Sequence, residues 1–274
     1  MHLEFTLTAA CALMCPYCPQ GKYARAFAKR PGQRSMTLDN YKQMLANVAQ
    51  TTRNIDFSGY TEPLHNPHWL DVFQHTLEQG YTVTLFSTLG SASLDDLDRL
   101  SELAISRIYV HLLDHVAQRD RLAFFIERCR HHHRDVLFIY FDEDGKELAA
   151  AFEGRVSCER WTGHSRAGLV DVGRRYLPGA VSCCEQRDFC SVVLPNGDVH
   201  ICCMEFALEH RIGNLLESPL ADIHYSDAAR AFRATMASPR DGICNHCIYA
   251  VPASEPPREA ASGTATQPRW GGQG

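Results

Sequence analysis

Three cysteines stand within eight residues near the start of the chain, Cys11, Cys15 and Cys18, in the stretch CALMCPYC. Thiolates bind zinc and iron–sulfur clusters. A structural zinc site takes four ligands, usually from two separated pairs. Three close thiolates suit three corners of a [4Fe–4S] cube, which leaves one iron without a protein ligand. Such an iron is open to a substrate or a cofactor. The plainer alternative for the same thiols is a zinc knob.

The chain has twelve cysteines in 274 residues. A reducing compartment disfavours disulfides, so this many thiols point to metal or redox chemistry. Seven lie between residues 183 and 247, and only Cys129 and Cys158 stand apart from both groups. At the far end, Cys244 and Cys247 form a C-x2-C pair, a spacing that suits one turn of a metal site. The stretch CSVVL-PNGD-VHICC (190–203) reads as a β-hairpin turning at Asn196-Gly197. Side chains alternate along a strand, so only one of Cys202 and Cys203 reaches any given site. A structural zinc ribbon is the plainer reading here too.

These thiols need a scaffold. Residues 2–8, 54–58, 81–87, 107–112 and 136–141 read as strands, and 154–158 as a weaker sixth. Helices alternate with them. One starts at Thr37 with Leu38, Tyr41, Met44 and Val48 on a face. The next takes Asn66 as N-cap and Pro67 as first residue, with Leu70, Phe73 and Leu77 as its stripe. Ser93 opens a third, and residues 116–131 form a fourth. Alternating strands and helices imply parallel βαβ units. Six units are too few for an eight-fold barrel. The expected fold class is therefore α/β: a partial, open (β/α)6 TIM-like barrel over residues 1–180, then a small α+β domain with a β-hairpin over 181–251. Ligands gather at the carboxyl ends of such strands, which is where the first cysteine loop falls. Residues 252–274 are rich in Pro, Gly, Ala and Ser and read as a disordered tail.

The bulk composition is ordinary, 45% hydrophobic with net charge −5, which argues against nucleic acid or an anionic membrane as a partner. No eighteen-residue apolar run and no signal peptide are present. The expected location is the cytoplasm.

The C-x3-C-x2-C loop, with aromatic Tyr17 before its third cysteine, resembles the signature of the radical S-adenosylmethionine (SAM) enzymes. The resemblance implies a [4Fe–4S] cluster on Cys11, Cys15 and Cys18 whose open iron chelates SAM. Reductive cleavage of SAM then yields a 5′-deoxyadenosyl radical that abstracts hydrogen from an unactivated C–H bond. Ser58-Gly59-Tyr60-Thr61-Glu62-Pro63 loosely resembles the family's Gly-Gly-Glu-Pro motif, which implies cofactor-binding roles for Gly59 and Glu62. Ser87 and Thr88 resemble the family's Ser-Thr-Asn-Gly edge, with Leu89 where Asn is usual. Flavodoxin or ferredoxin is the reductant the family implies.

Cys184, Gly197, Cys202 and the Cys244–Cys247 pair resemble the family's auxiliary-cluster modules, SPASM in the long form and twitch in the short. No cysteine follows Cys247, so the short form is implied: one extra [4Fe–4S] cluster on Cys184, Cys202, Cys244 and Cys247. Cys183 and Cys203 remain alternatives to Cys184 and Cys202. The layout resembles 2-deoxy-scyllo-inosamine dehydrogenase-like enzymes, which implies oxidation of a sugar- or cyclitol-like small molecule, with the auxiliary cluster taking an electron. Epimerisation with a cysteine thiol as hydrogen donor, Cys190 or Cys183, is a second reading. Modification of a ribosomal peptide is a third, and a two-cluster electron carrier is the non-enzyme alternative. Trp161-x2-His164-Ser-Arg166-Ala-Gly168 resembles a Ser-Arg-Ala-Gly-Asn stretch of auxiliary-cluster relatives. Arg166 is thus a candidate for substrate or cofactor oxygens, or a bridge between the two parts. His131-His132-His133 reads as a solvated helix end.

Overall fold

The computed structural model describes residues 2–13, 15, 17–49, 51–113, 118–161, 166–170, 176–182, 190–236, 242–247 and 250–254. In chain order the first half runs β1 (His2–Phe5), α1 (Gln20–Phe27), α2 (Leu38–Val48), β2 (Asn54–Phe57), α3 (Trp69–Glu78), β3 (Thr82–Ser87), α4 (Leu94–Glu102), β4 (Arg107–His111), α5 (Gln118–His131) and β5 (Val136–Tyr140). Then follow α6 (Glu143–Ala150), β6 (Ser157–Arg160), β7 (Val181–Ser182), β8 (Cys190–Val193), β9 (Asp198–His200), β10 (Arg211–Asn214), α7 (Leu220–His224), α8 (Asp227–Met236) and β11 (Val251–Pro252).

Nine strands form one open sheet in the order β10-β9-β8-β1-β2-β3-β4-β5-β6. Strands β1 to β6 are mutually parallel, as alternating βαβ units require. The sheet stays open, with β6 and β10 as edges. The hairpin does not stand apart from the barrel: β8 pairs in parallel with β1, His2 opposite Cys190 and Phe5 opposite Val193. The sheet therefore runs unbroken from the barrel into the C-terminal part, across the boundary that the sequence pattern suggests.

The helix-facing side of the strands is apolar. Leu3, Phe5, Ile55, Phe57, Val83, Leu85, Ile108 and Val110 join Tyr41, Met44, Phe73, Leu97 and Phe125 in one buried core. Phe57 and Phe73 stack with centroids 4.0 Å apart. Burying a side chain of this size stabilises the fold by roughly 1.5–3 kcal/mol, and truncating Phe57 to Ala would cost about 3–5 kcal/mol. The opposite side carries Glu4, Thr6, Ser58, Phe86, Tyr109 and His111, the residues that alternate with the core set. That side is the barrel lumen.

Several boundaries differ from the pattern reading. Thr37 caps α2, its hydroxyl accepting from Asn40 N, and Ser93 forms a capping box with Asp96. Asn66, however, does not cap α3. Pro63–His65 forms a short 3₁₀ turn and α3 begins at Trp69. The buried Asn66 amide donates instead to Leu7 O and Met36 O at 2.8 and 3.0 Å, pinning the end of β1. The fully buried residues of α3 are Trp69, Val72, Phe73 and Thr76, with Leu70 and Leu77 partly buried against the same core. Helices α7 and α8 are separated at Tyr225–Ser226. Helix α6, capped by Asp142, has no apolar stripe strong enough to announce it. No helix among the described residues is long and apolar enough to cross a membrane.

Candidate functional site

The first cysteine loop leaves the carboxyl end of β1. Cys18 N bonds Cys15 O at 3.1 Å, closing a turn that folds the thiols toward one another. All three are half-buried. Burial pushes the Cys15 thiol up to about 12, helped by the neighbouring charges of Cys18, Cys11 and Glu62. Burial also raises Cys11, against backbone N–H groups of Leu13 and Glu62 that favour its thiolate. Cys18 is raised by burial and opposed by the Arg166 guanidinium. Three thiols that each resist ionising beside the others are matched to a group that brings positive iron to all of them. A cube takes one thiolate per iron. The donor set fits a cluster.

Glu62 lies 4% exposed beside this loop. Its Oε1 accepts from Ser87 Oγ at 2.6 Å and Leu64 N at 3.4 Å; Oε2 accepts from Thr88 N at 2.8 Å and Thr88 Oγ1 at 2.9 Å. A carboxylate offers about four acceptor positions, and all are used. The structure thus brings Glu62, Ser87 and Thr88 together, but as a clasp between the ends of β2 and β3. An incoming amine would have to displace one of these donors. Gly59 has φ +82°, and a Cβ there would fall 2.0 Å from Thr6 Oγ1. Its absent side chain lets Tyr60 N reach that hydroxyl at 3.2 Å.

Tyr60 links this motif to the C-terminal cysteines. Its ring stacks on Tyr23 and meets Phe206 edge-on, and its hydroxyl donates to Cys202 O at 2.9 Å. Cys202, Cys244 and Cys247 line a partly open, mainly apolar pocket of about 510 Å³, with Met204, Phe232 and Met236. The Cys244–Cys247 turn is 3₁₀, closed by Cys247 N to Cys244 O at 3.1 Å. Asn245 anchors it through Leu177 O and Gly179 O at 2.7 and 2.9 Å. A hydrogen bond with Cys203, then burial, raises the Cys202 thiol well above its ordinary value. Cys203 is buried among Val192, Leu194, Phe206 and Leu208 instead. Next to this corner, burial would raise the Glu205 carboxyl, but hydrogen bonds from His200 and His210 hold it at about 2.

Cys183 and Cys184 lie outside the described residues. Cys190 begins β8 opposite His2. In a parallel pair that places it at the amino end of the strands, while the first cysteine loop follows the carboxyl end. Cys129 is a buried member of the apolar core. His131 ends α5, and no metal-binding group involving the histidine run is present among the described residues.

The carboxyl mouth of the lumen joins Tyr17 and Trp161, which the motifs named, to Phe86, His111 and Phe141, which sequence pattern did not single out. Tyr17, from the cysteine loop, stacks on Phe141 at 3.9 Å, and Trp161 meets Phe141 at 4.8 Å. His111 stands between Phe86 and Phe141, its centroid 6.3 and 5.4 Å from theirs. Burial, reinforced by Arg166, holds its imidazole neutral, with the pKa at about 4. A neutral imidazole beside aromatic faces can take a hydroxyl without a charge.

The radical SAM superfamily model matches residues 5–135, and the SPASM model, an iron–sulfur cluster-binding domain, matches residues 183–248. The chain thus carries a radical SAM domain followed by a SPASM-type domain, so its cofactors are SAM, a [4Fe–4S] cluster that binds it and auxiliary iron–sulfur. The fold is similar to BtrN in complex with AdoMet and 2-DOIA, with TM-score 0.63 and 20% identity over 92% of this chain and 93% of that one. It is also similar to Streptococcus suis SuiB bound to the precursor peptide SuiA, with TM-score 0.63 and 12% identity over 90% and 69%. A third is anSMEcpe with bound AdoMet, with TM-score 0.58 and 11% identity over 90% and 86%. No curated protein matches the chain at the sequence level.

Proposed function

We propose that this protein is a radical SAM dehydrogenase that oxidises a hydroxylated ring, of the sugar or cyclitol class, at a carbinol carbon. Residues 1–180 carry the SAM site and residues 181–251 the auxiliary centre. Cys11, Cys15 and Cys18 hold the first cluster; Cys202, Cys244 and Cys247, with Cys184, hold the second. When bound, the first cluster and SAM supply the hydrogen-abstracting radical and the second cluster supplies an electron acceptor. A flavodoxin or ferredoxin provides the reducing electron.

The single observation that carries this reading is the second thiol pocket, joined to the SAM-side motif by the Tyr60–Cys202 hydrogen bond. A second redox centre suits a reaction that must take an electron from the substrate radical. Glu62 fixes the ends of β2 and β3 around the first cysteine loop. Tyr17, Phe86, Phe141 and Trp161 wall the mouth, exclude water, and offer faces to the C–H side of a ring. His111 accepts a substrate hydroxyl there. BtrN, a structural neighbour at 20% identity, holds 2-DOIA, and that likeness supports a small molecule of this kind. Epimerisation with Cys190 is disfavoured, because the register puts that residue at the other end of the strands.

The test is anaerobic reconstitution, then incubation with SAM, a reductant and panels of cyclitols, hexoses and peptides in deuterated water. Formation of 5′-deoxyadenosine with a product lighter by a pair of hydrogens supports oxidation. An isomer of unchanged composition carrying solvent deuterium would establish epimerisation instead. Turnover of the peptides alone would move the assignment to that class.

A further inference from the structure

The stretch from Phe5 to Leu38 contains no acidic residue but five basic ones, Lys22, Arg25, Lys29, Arg30 and Arg34, in a chain whose net charge is −5. Four of the five are exposed: Lys22 and Arg25 on α1, Lys29 in the turn that closes it, and Arg34 beyond. Lys22, Arg25 and Lys29 are spaced by three and four residues and share one face, while Tyr23 and Phe27 take the buried face. Of the five, only Arg30 forms an ion pair among the described residues, with Asp198 at 3.0 Å. The helix gains nothing from these charges. Its first turn holds Lys22 and no acidic residue, the reverse of what the helix dipole favours.

The face borders the first cysteine loop. Helix α1 starts two residues after Cys18, whose Sγ lies 3.7 Å from Gln20 Oε1. The Arg25 guanidinium folds back toward that end, its Nη1 3.3 Å from where a Cβ on Gly21 would stand. Arg34 O accepts from Ala9 N at 2.7 Å, two residues before Cys11. The platform is fixed from below: Tyr23 stacks on Tyr60 with centroids 4.9 Å apart, and Arg30 binds Leu208 O as well as Asp198. Arg166, by contrast, is turned inward, its guanidinium 5.6 Å over the Phe206 ring.

We propose that Lys22, Arg25, Lys29 and Arg34 form the docking face for an acidic one-electron carrier protein that reduces the first cluster. The proposal rests on the radical SAM reading of Cys11, Cys15 and Cys18, which requires such a donor. In the step, the carrier's reduced flavin or iron–sulfur centre loses one electron and the first cluster gains it. Electron transfer falls off steeply with distance, so a useful docking face must touch the loop that holds the cluster. Exposed cations without carboxylate partners steer an acidic protein to that face and speed its encounter. A nucleic acid is a poorer match, because the chain as a whole is acidic.

The test follows the oxidation of reduced flavodoxin and of reduced ferredoxin by the anaerobically reconstituted full-length protein, at low and high salt. Lys22→Glu/Arg25→Glu/Lys29→Glu should slow the reaction with the protein donor about tenfold or more at low salt, and the gap should narrow as salt rises. Cluster reduction by photoreduced deazariboflavin, a small uncharged donor, should be unchanged. Arg99→Glu/Arg119→Glu/Lys146→Glu, which changes net charge equally on α4, α5 and α6, should stay near wild type. An unchanged rate with the α1 variant would overturn the proposal, as would equal slowing in the control variant or with deazariboflavin. Wild-type protein that deazariboflavin reduces but neither carrier does would also overturn it. So would binding to phosphatidylserine vesicles that the α1 reversal abolishes while carrier oxidation is untouched. Wild-type protein that takes up no iron on Cys11, Cys15 and Cys18 would instead sink the underlying reading, an outcome distinct from all of these.

Discussion

Ser87 donates its hydroxyl proton to the Glu62 carboxylate at 2.6 Å, and Thr88 adds two more donors to the other oxygen, so the ends of β2 and β3 are clasped by one buried side chain. Glu62→Gln would turn an NH2 group toward the Thr88 donors or the Ser87 hydroxyl. Buried donors without acceptors, next to a lost charged hydrogen bond, cost about 2–3 kcal/mol. Urea denaturation should show that loss. Ser87→Ala, which removes the bond to Glu62 and the one the hydroxyl accepts from Leu89 N at 2.9 Å, should cost about 1–2 kcal/mol. Equal stability of Glu62→Gln and wild type would show that the clasp is not what holds these ends.

Gly59 makes a sharper prediction. Its left-handed φ and the 2.0 Å approach to Thr6 Oγ1 leave no room for a methyl group. Gly59→Ala should lower stability by about 2 kcal/mol or more. The double variant Thr6→Ala/Gly59→Ala should recover part of that loss, because the collision goes while the φ strain stays. Thermal melts of Gly59→Ala, Thr6→Ala and the double variant separate the two contributions. No recovery in the double variant would show that the collision is not a significant part of the cost.

The auxiliary site predicts an asymmetry between adjacent cysteines. Cys202 lines the pocket with Cys244 and Cys247, while Cys203 packs among apolar side chains. Two four-iron clusters carry about eight irons. Cys11/Cys15/Cys18→Ala and Cys202→Ala should each lose one cluster by iron and sulfide analysis. Cys203→Ala should keep both, with a stability loss of about 1 kcal/mol. The reverse pattern would exchange the roles of the pair.

His224 gives a pH dependence. Burial, then the charge of Arg233, holds its pKa at about 4. Arg233 donates toward Nδ1 at 3.4 Å and Ser191 Oγ lies 3.1 Å from Nε2, a neutral-ring arrangement. The native state therefore resists a proton that the unfolded chain binds near the ordinary histidine value of about 6.5. The contribution is complete above pH 6.5 and declines as pH falls toward 4. His224→Gln should flatten the acid limb of the stability profile by about one proton over that window. An unchanged slope would show that His224 is not the residue responsible.

Much of this was legible in the residues. The first cysteine loop announces itself through spacing, the hairpin through Asn196-Gly197, and α4 through its Ser93 cap. The outer apolar face follows from strand alternation. Other features depend on which segments meet, which a local pattern does not record. Nothing in the stretch 190–193 says that it pairs with β1. His111, Phe86 and Phe141 are ordinary strand-end residues until the parallel order puts them at one mouth. Asn66 looks like a helix cap, and its oxygen does accept from His68 N at 2.8 Å, but its NH2 is held by the carbonyls of Leu7 and Met36 and α3 starts only at Trp69. Glu62 stands out beside Pro63, yet its saturation by Ser87, Leu64 and Thr88 is a property of the fold.

Strand β1 lies between β2, some fifty residues downstream, and β8, nearly two hundred residues downstream. During synthesis the stretch His2–Phe5 emerges before both and finds one neighbour early. Its second neighbour leaves the ribosome only after helices α1 to α6 have been made. Until then one backbone edge of β1, directly beside the first cysteine loop, is bare. The nascent barrel is thus a species with a sticky border and an incomplete metal pocket. Cluster insertion and closure of that border become late events, and truncations short of β8 are expected to aggregate rather than to yield a smaller working enzyme.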